Sequence, residues 1–190
     1  MKIKMSILMA TLTALWLTVA AGAAEVKPPQ VGQGFPDVEL SKPVIAGELK
    51  YLGLSGRGSF RINQIKADVV IVEIFSMYCP HCQAEAPDVN NLYQLIEENA
   101  ALKGKIKMIG LGTGNSIYET DIFKKKYNVK FPLVPDGDFK IHKIMGEVRT
   151  PYFIVVKLKG KKADVIYSKP GALGDNKAFL EGIVKSAGLK

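Results

Sequence analysis

The longest apolar run in the body of the chain is "DVVIVEIF", residues 68–75, where β-branched residues occupy both alternating faces. A strand that is apolar on both faces must be covered on both, as a central strand of an α/β sheet is. "KIKMIGLG" (105–112) repeats the pattern and predicts a second buried strand. Between them Val89, Leu92, Leu95 and Ile96 recur at helical spacing, with Pro80 suited to a first turn and Pro87 expected to kink the helix. "SIYETDIFKKKYNV" (116–129) reads as an amphipathic helix, "FPLVPD" (131–136) as a short strand or turn, and "GDFKIHKIMG" (137–146) as one or two helical turns closed by Gly146. "TPYFIVVKLKGKKADVIYS" (150–168) predicts a hairpin turning at Lys159–Lys162. "DNKAFLEGIVKSAGL" (175–189) predicts a terminal helix with an Asp cap and with Phe179, Leu180, Ile183 and Val184 on one face.

Upstream, an extended edge segment is expected around Asp37–Leu40, and the alternation in "GELKYLGL" (47–54) predicts a short strand. "SFRINQIK" (59–66) has no decisive period. The element order is β-α-β-α-β-(α)-β-β-α, an α/β fold with one sheet and helices on both faces.

The first residues have a different character. Lys2 and Lys4 precede an uncharged apolar stretch from Ile7 to Val19, and "AGAAE" supplies small residues for cleavage after Ala23 or Ala24. This is the pattern of a secretory signal peptide over residues 1–24, an uncleaved anchor being the alternative. Residues 25–36, rich in Pro and Gly, are expected to be a tether, and 37–190 the folded domain. Such a chain is exported, to the periplasm or an equivalent oxidising compartment.

With 190 residues, 47% of them hydrophobic and 23% charged, the chain suits one globular domain. The net charge is +8, and without Lys2 and Lys4 the balance is 24 basic to 18 acidic residues. The excess is dense only at "KKK" (124–126) and "KGKK" (159–162), without the interleaved aromatics of a nucleic-acid stripe, so no nucleic-acid partner is expected. "GLGTGN" (110–115) fails the dinucleotide fingerprint and reads as a strand-to-helix loop.

The chemistry concentrates in "VEIFSMYCPHCQAEAP" (72–87), which holds both cysteines of the chain. Structural zinc is disfavoured, since only His81 and His142 remain as further ligands and His81 lies inside the motif. A redox dithiol explains the placement better. Cys79 falls where a strand gives way to a helix, and the helix N-terminus favours its thiolate. Cys82, one turn on, is the expected resolving thiol. His81 is a candidate donor or positive charge toward Cys79, which would make the disulfide more oxidising. Glu73, an acid inside the apolar strand, is either a proton relay with a raised pKa or a structural acid paired with a lysine. Soft-metal capture is the remaining use of such a pair.

"VEIFSMYCPHC" resembles the active site of DsbA-type thiol:disulfide oxidoreductases. The wider chain, over roughly residues 32–187, resembles the TlpA/ResA-type thioredoxin-like proteins, close to the alkyl-hydroperoxide-reductase type of peroxiredoxin. "GQGFPDVEL" is similar to their N-terminal segment, and "FKKKYNVKFPLVPDGDFKIHKIMGEVRTPYFIVV" to their central insertion and the strand after it. The resemblance implies a thioredoxin fold with an N-terminal strand extension and a central insertion. It also implies a cis Pro151 facing the cysteines, with Thr150 offering backbone hydrogen bonds to a bound cysteine peptide. Tyr78 and Pro80 flank Cys79 on the same implied substrate-binding surface, and Glu73 matches the family's buried acid. About 68 residues separate Cys82 from Thr150, too few for the large helical insertion of DsbA proteins. The peroxiredoxin signature would need Pro at Val72 and Thr at Ser76, which disfavours peroxidase activity.

The expected protein is thus a monomeric exported thiol:disulfide oxidoreductase with no cofactor beyond its Cys79–Cys82 disulfide. Cysteine-containing exported proteins would be its substrates, and a second redox protein would recycle it. Its direction is expected to be oxidising, the alternative being a reductant such as those of cytochrome c maturation. The resemblance to copper-binding thioredoxin-like proteins implies a further alternative, a copper-handling chaperone with Met77, Cys79, Cys82 and His142 as soft or borderline ligands.

Overall fold

The computed structural model describes residues 26–189, so the expected signal peptide or anchor over 1–24 lies outside the described residues. Among the described residues, no helix is long and apolar enough to cross a membrane.

Seven strands and five α-helices follow in the order β1 (Leu40–Ser41), α1 (Ala46–Leu52), β2 (Ser59–Phe60), β3 (Val69–Phe75), α2 (Pro80–Glu98), β4 (Ile106–Thr113), α3 (Ile117–Lys126), β5 (Leu133–Asp136), α4 (Lys140–Ile144), β6 (Tyr152–Lys159), β7 (Lys162–Pro170) and α5 (Asn176–Ala187). A 3-10 turn, Ile62–Gln64, sits between β2 and β3. The main sheet runs β5-β4-β3-β6-β7, with β3, β4 and β5 parallel and the β6–β7 hairpin antiparallel to them. The two β-α-β crossovers put α2 and α3 on one face, where Val89 and Leu92 of α2 and Phe123 of α3 join the same core layer.

Strand parity sorts the core into two layers. All seven residues of β3 are buried. Val70, Val72 and Ile74 point to the layer closed by Leu40, Leu52, Phe60, Ile141 and Met145. Val69, Ile71 and Phe75 point to the opposite layer, with Cys82, Val89, Leu92 and Ile96 of α2 and Leu180 and Ile183 of α5. Glu73 shares the parity of this second set, so it faces α2, the helix that carries the cysteines.

The alternating glycines of "GLGTGN" have a packing role. A Cβ on Gly110 would lie 2.5 Å from Leu133 Cδ2 and 3.0 Å from the Phe75 ring, and one on Gly112 would lie 2.7 Å from Thr120 Cγ2. The bare backbone of β4 is what lets Phe75 lie across it and meet Phe123, ring centroids 4.7 Å apart.

Three expectations need correction. Residues 47–54 are not a strand: Ala46–Leu52 is helical and ends at Gly53 in the left-handed region, φ +69°. Leu49 and Tyr51 mimic an alternation, but Ile45, Leu49 and Leu52 fit helical spacing, and Ala, Glu, Leu and Lys are good helix formers. α2 runs through Pro87 to Glu98, and the proline removes the N–H that would meet the Gln83 carbonyl. The segment expected as a tether is also docked. Gly32 N–H donates to Val165 O (2.9 Å), Phe35 N–H to Ala163 O (2.7 Å) and Val165 N–H to Gln33 O (2.8 Å), which extends the sheet along the edge of β7. Pro29 and Phe35 are buried by this docking. The expected edge strand at 37–40 shrinks to the two-residue β1, paired with β2.

Candidate functional site

β3 ends at Phe75, and Ser76–Tyr78 turn the chain into α2. Cys79 is the N-cap of this 19-residue helix, with extended backbone (φ −83°, ψ 116°), and Pro80 follows in the first turn. Its amide donates to Ser76 O at 3.0 Å and its carbonyl accepts from Gln83 N–H at 3.1 Å, while the side chain makes no cap bond. The sulfur is therefore left beside the unpaired N–H groups of the first helical turn, where negative charge is favoured. Cys82 is fully buried on the inner face of the same turn, and both cysteines are free thiols.

The two sulfurs have opposite electrostatic surroundings. Partial burial pushes the Cys79 thiol up, but the Thr150 side chain and the dipoles of the nearby Cys82 and His81 backbone N–H groups outweigh it, and its pKa is lowered. In the thiol form Cys79 Sγ donates to Thr150 O at 3.3 Å. Burial pushes the Cys82 thiol up to about 12, with the charge of Glu73 adding to the rise and the Ser76 backbone N–H opposing it. Cys79 is thus the accessible, acidic thiol and Cys82 the shielded, protonated one.

Glu73 is 4% exposed. Desolvation, then the nearby Glu85 carboxylate, raises its pKa to about 8. A lysine partner, the structural alternative, is not what acts on it. The second acid, Glu85, is one turn beyond Cys82 on the same buried face; burial raises its pKa, and its Oε1 accepts Leu173 N–H at 2.7 Å.

Thr150 and Pro151 join the dithiol from the loop before β6, and the bond between them is cis, as expected. Tyr78 is 63% exposed, and its hydroxyl is bonded to the Glu119 carboxylate at the start of α3. Pro80 is exposed beside it. The His81 ring lies on the exposed side of the first turn, so the contribution of this residue to Cys79 comes from its main chain. His142 belongs to α4, with Nε2 2.9 Å from Val148 O. Among the described residues no three or more His, Cys, Asp and Glu side chains are grouped to hold a metal, so the copper set is not assembled.

Two further residues shape the loop. Asn115, completely buried, accepts the Met77 N–H through Oδ1 at 2.8 Å. Gln83 donates to Met77 O at 2.8 Å. The sequence pattern conceals both: Asn115 sits in a glycine-rich stretch that suggests only a flexible loop, and Gln83 looks like a surface helix residue. Glu85 leaves a fainter trace, an acid three residues after Cys82 on the apolar face of α2.

The AhpC/TSA family model matches residues 31–171. The thiol-disulfide oxidoreductase ResA of Bacillus thuringiensis subsp. konkukian is 27% identical over 100 residues, 53% of this chain, and that match spans about half of the relative's length (55%). ResA of Geobacillus thermodenitrificans is 23% identical over 161 residues, 84% of this chain and 83% of the relative. Among solved structures, a Chlorobium tepidum protein assigned as the thiol:disulfide interchange protein DsbE superposes with a TM-score of 0.63 at 14% identity, covering 84% of this chain and 99% of its own. That structural likeness establishes the thioredoxin-like fold.

Proposed function

This chain belongs to the AhpC/TSA family, and from that membership and its asymmetric dithiol we propose that it is a thiol:disulfide oxidoreductase of the ResA/DsbE type. The observation that carries the proposal is the contrast between the two sulfurs: Cys79 is acidic and reachable, Cys82 buried and held protonated. In the oxidising direction, a partner thiolate attacks Cys79 Sγ of the Cys79–Cys82 disulfide, and the released Cys82 takes a proton. A second thiolate of the partner then attacks its own mixed-disulfide sulfur, releasing Cys79 as the stabilised thiolate and leaving the partner's disulfide formed. The reducing direction is the reverse. Cys79 thiolate opens a partner disulfide, and Cys82 gives up its proton and resolves the mixed disulfide. Glu73 is the group we assign to that proton, because it faces α2 from β3 and its charge is felt at Cys82. Thr150 and Pro151 hold the partner chain opposite Cys79, and Tyr78 and Pro80 border it.

The substrates we propose are cysteine-containing exported proteins, with a second redox protein restoring the pair. The donors gathered on Cys79 stabilise the reduced form and favour the oxidising direction. The kinship with ResA proteins favours a second reading, reduction of partner disulfides. Equilibration with glutathione separates the two: a potential as low as about −270 mV, that of thioredoxin, would make the protein a reductant. For the activity itself, Cys82→Ser should trap a mixed disulfide at Cys79 with a disulfide-bonded substrate, because the thiolate that would resolve it is gone. A protein whose Cys79 forms no such adduct is not an oxidoreductase of this kind.

A further inference from the structure

We propose that Asn115 is a positioning residue for the redox pair, setting the acidity of Cys79 through the peptide groups of Ser76 and Met77; the inference rests on the dithiol reading above. Asn115 follows β4 and has no surface exposure. Its Oδ1 accepts Met77 N–H at 2.8 Å, and its Nδ2 lies 3.5 Å from Ser76 Oγ. The next peptide unit, Met77–Tyr78, is held by Gln83, whose Nε2 donates to Met77 O at 2.8 Å. Asn115 is itself fixed by its backbone, with its N–H donating to Gly112 O at 3.1 Å and its carbonyl accepting Asp136 N–H at 3.1 Å. Next to it Ser116 and Glu119 cap α3 reciprocally, and Glu119 also binds the Tyr78 hydroxyl. The β4–α3 segment therefore grips the loop at Ser76, Met77 and Tyr78, the three residues just before Cys79.

The consequence for the chemistry is geometric. Ser76 O accepts the Cys79 N–H at 3.0 Å, and the Ser76 N–H is a donor to the Cys82 sulfur. A rotation of the Ser76–Met77 peptide would move Ser76 O, and with it the partner of the Cys79 N–H, relative to the first turn of α2. A buried side-chain amide paired with a backbone amide in a protein interior holds that rotation better than water would, because water exchanges and the side chain does not. The helix N-terminus can stabilise the Cys79 thiolate only while the loop holds the sulfur over it.

The test is Asn115→Ala in the full chain, with Cys79 acidity read from the pH dependence of its alkylation and the dithiol equilibrated with glutathione. The expected result is a Cys79 thiolate population at least threefold smaller at a fixed pH below its pKa. The glutathione equilibrium should move toward the disulfide by up to tenfold, about 30 mV. Unchanged acidity and equilibrium in a variant whose melting temperature alone has fallen would make Asn115 merely structural and overturn the proposal. Should that variant not fold, hydrogen exchange of the Met77 amide in the unaltered protein decides: protection far beyond that of a free loop amide is required, and rapid exchange overturns it. Gln83→Ala should shift Cys79 in the same direction. If the unaltered protein failed to exchange with glutathione, the oxidoreductase reading would fall, while the alkylation profile would still report on Asn115.

Discussion

Replacing Glu73 by Gln removes the one ionisable group of β3 while keeping its shape. The carboxyl has a pKa of about 8 in the fold against 4.5 as its ordinary value, chiefly because burial disfavours its charge. The folded chain therefore keeps a proton that the unfolded chain has lost. Between about 4.5 and about 8 the native state binds more protons than the unfolded one, so stability falls as pH rises. Each pH step across that window costs about 1.4 kcal/mol, and at pH 7 the accumulated cost is about 3 kcal/mol, against a total stability of roughly 5–15 kcal/mol for a domain. The Gln side chain does not titrate, so the difference in stability between Glu73→Gln and the unaltered protein should grow by about 3 kcal/mol in the variant's favour from pH 4.5 to pH 7, and level off above about pH 8. Urea unfolding of the reduced proteins at several pH values measures it, and comparing the two proteins cancels the titrations they share, including Glu85 and the cysteines. Two stability curves that stay parallel from pH 4.5 to 8 would show that Glu73 is not held protonated, and the relay assigned to it would lose its basis.

Thr150→Ala should raise the Cys79 pKa, because a hydrogen bond from the Thr150 side chain opposes the effect of burial on that thiol, and Thr150→Ser should restore it; alkylation rate against pH reads both, and an unmoved Thr150→Ala profile would remove Thr150 from the site. Gly110→Ala should destabilise the fold by about 1–3 kcal/mol through overpacking, since its Cβ would sit 2.5 Å from Leu133 Cδ2 and 3.0 Å from the Phe75 ring. A denaturation midpoint equal to that of the unaltered protein would show that Phe75 and Leu133 move aside freely.

Periodicity was a sound guide wherever one layer of packing determined it. β3, β4, the β6–β7 hairpin, α2, α3 and α5 are where the apolar spacing puts them, because a buried strand or an amphipathic helix must show its core face in sequence. It misled in 47–54, where eight residues fit two periods and only the layer beneath, with Leu52 buried, chooses the helix. It misled again within the expected tether, where Pro and Gly suggest a free chain but residues 32–35 pair with the open edge of β7.

The site divides in the same way. Sequence by itself determined the dithiol, its place at a helix start, and the acid on β3, because these are local: the cysteines are one turn apart and Glu73 stands out against an apolar strand. Tertiary structure alone decided which groups reach them. It brings Thr150 to within 3.3 Å of Cys79 from 71 residues away, keeps the His81 ring on the surface, and leaves the tuning of Cys79 to the Thr150 side chain and then to main-chain donors. It also turns Asn115, unremarked in a run of glycines, into the buried clamp on Met77. The physical reason is that hydrogen bonds and desolvation act over a few ångströms, so a residue's effect on a thiol depends on where the sheet places it, which spacing along the chain does not record.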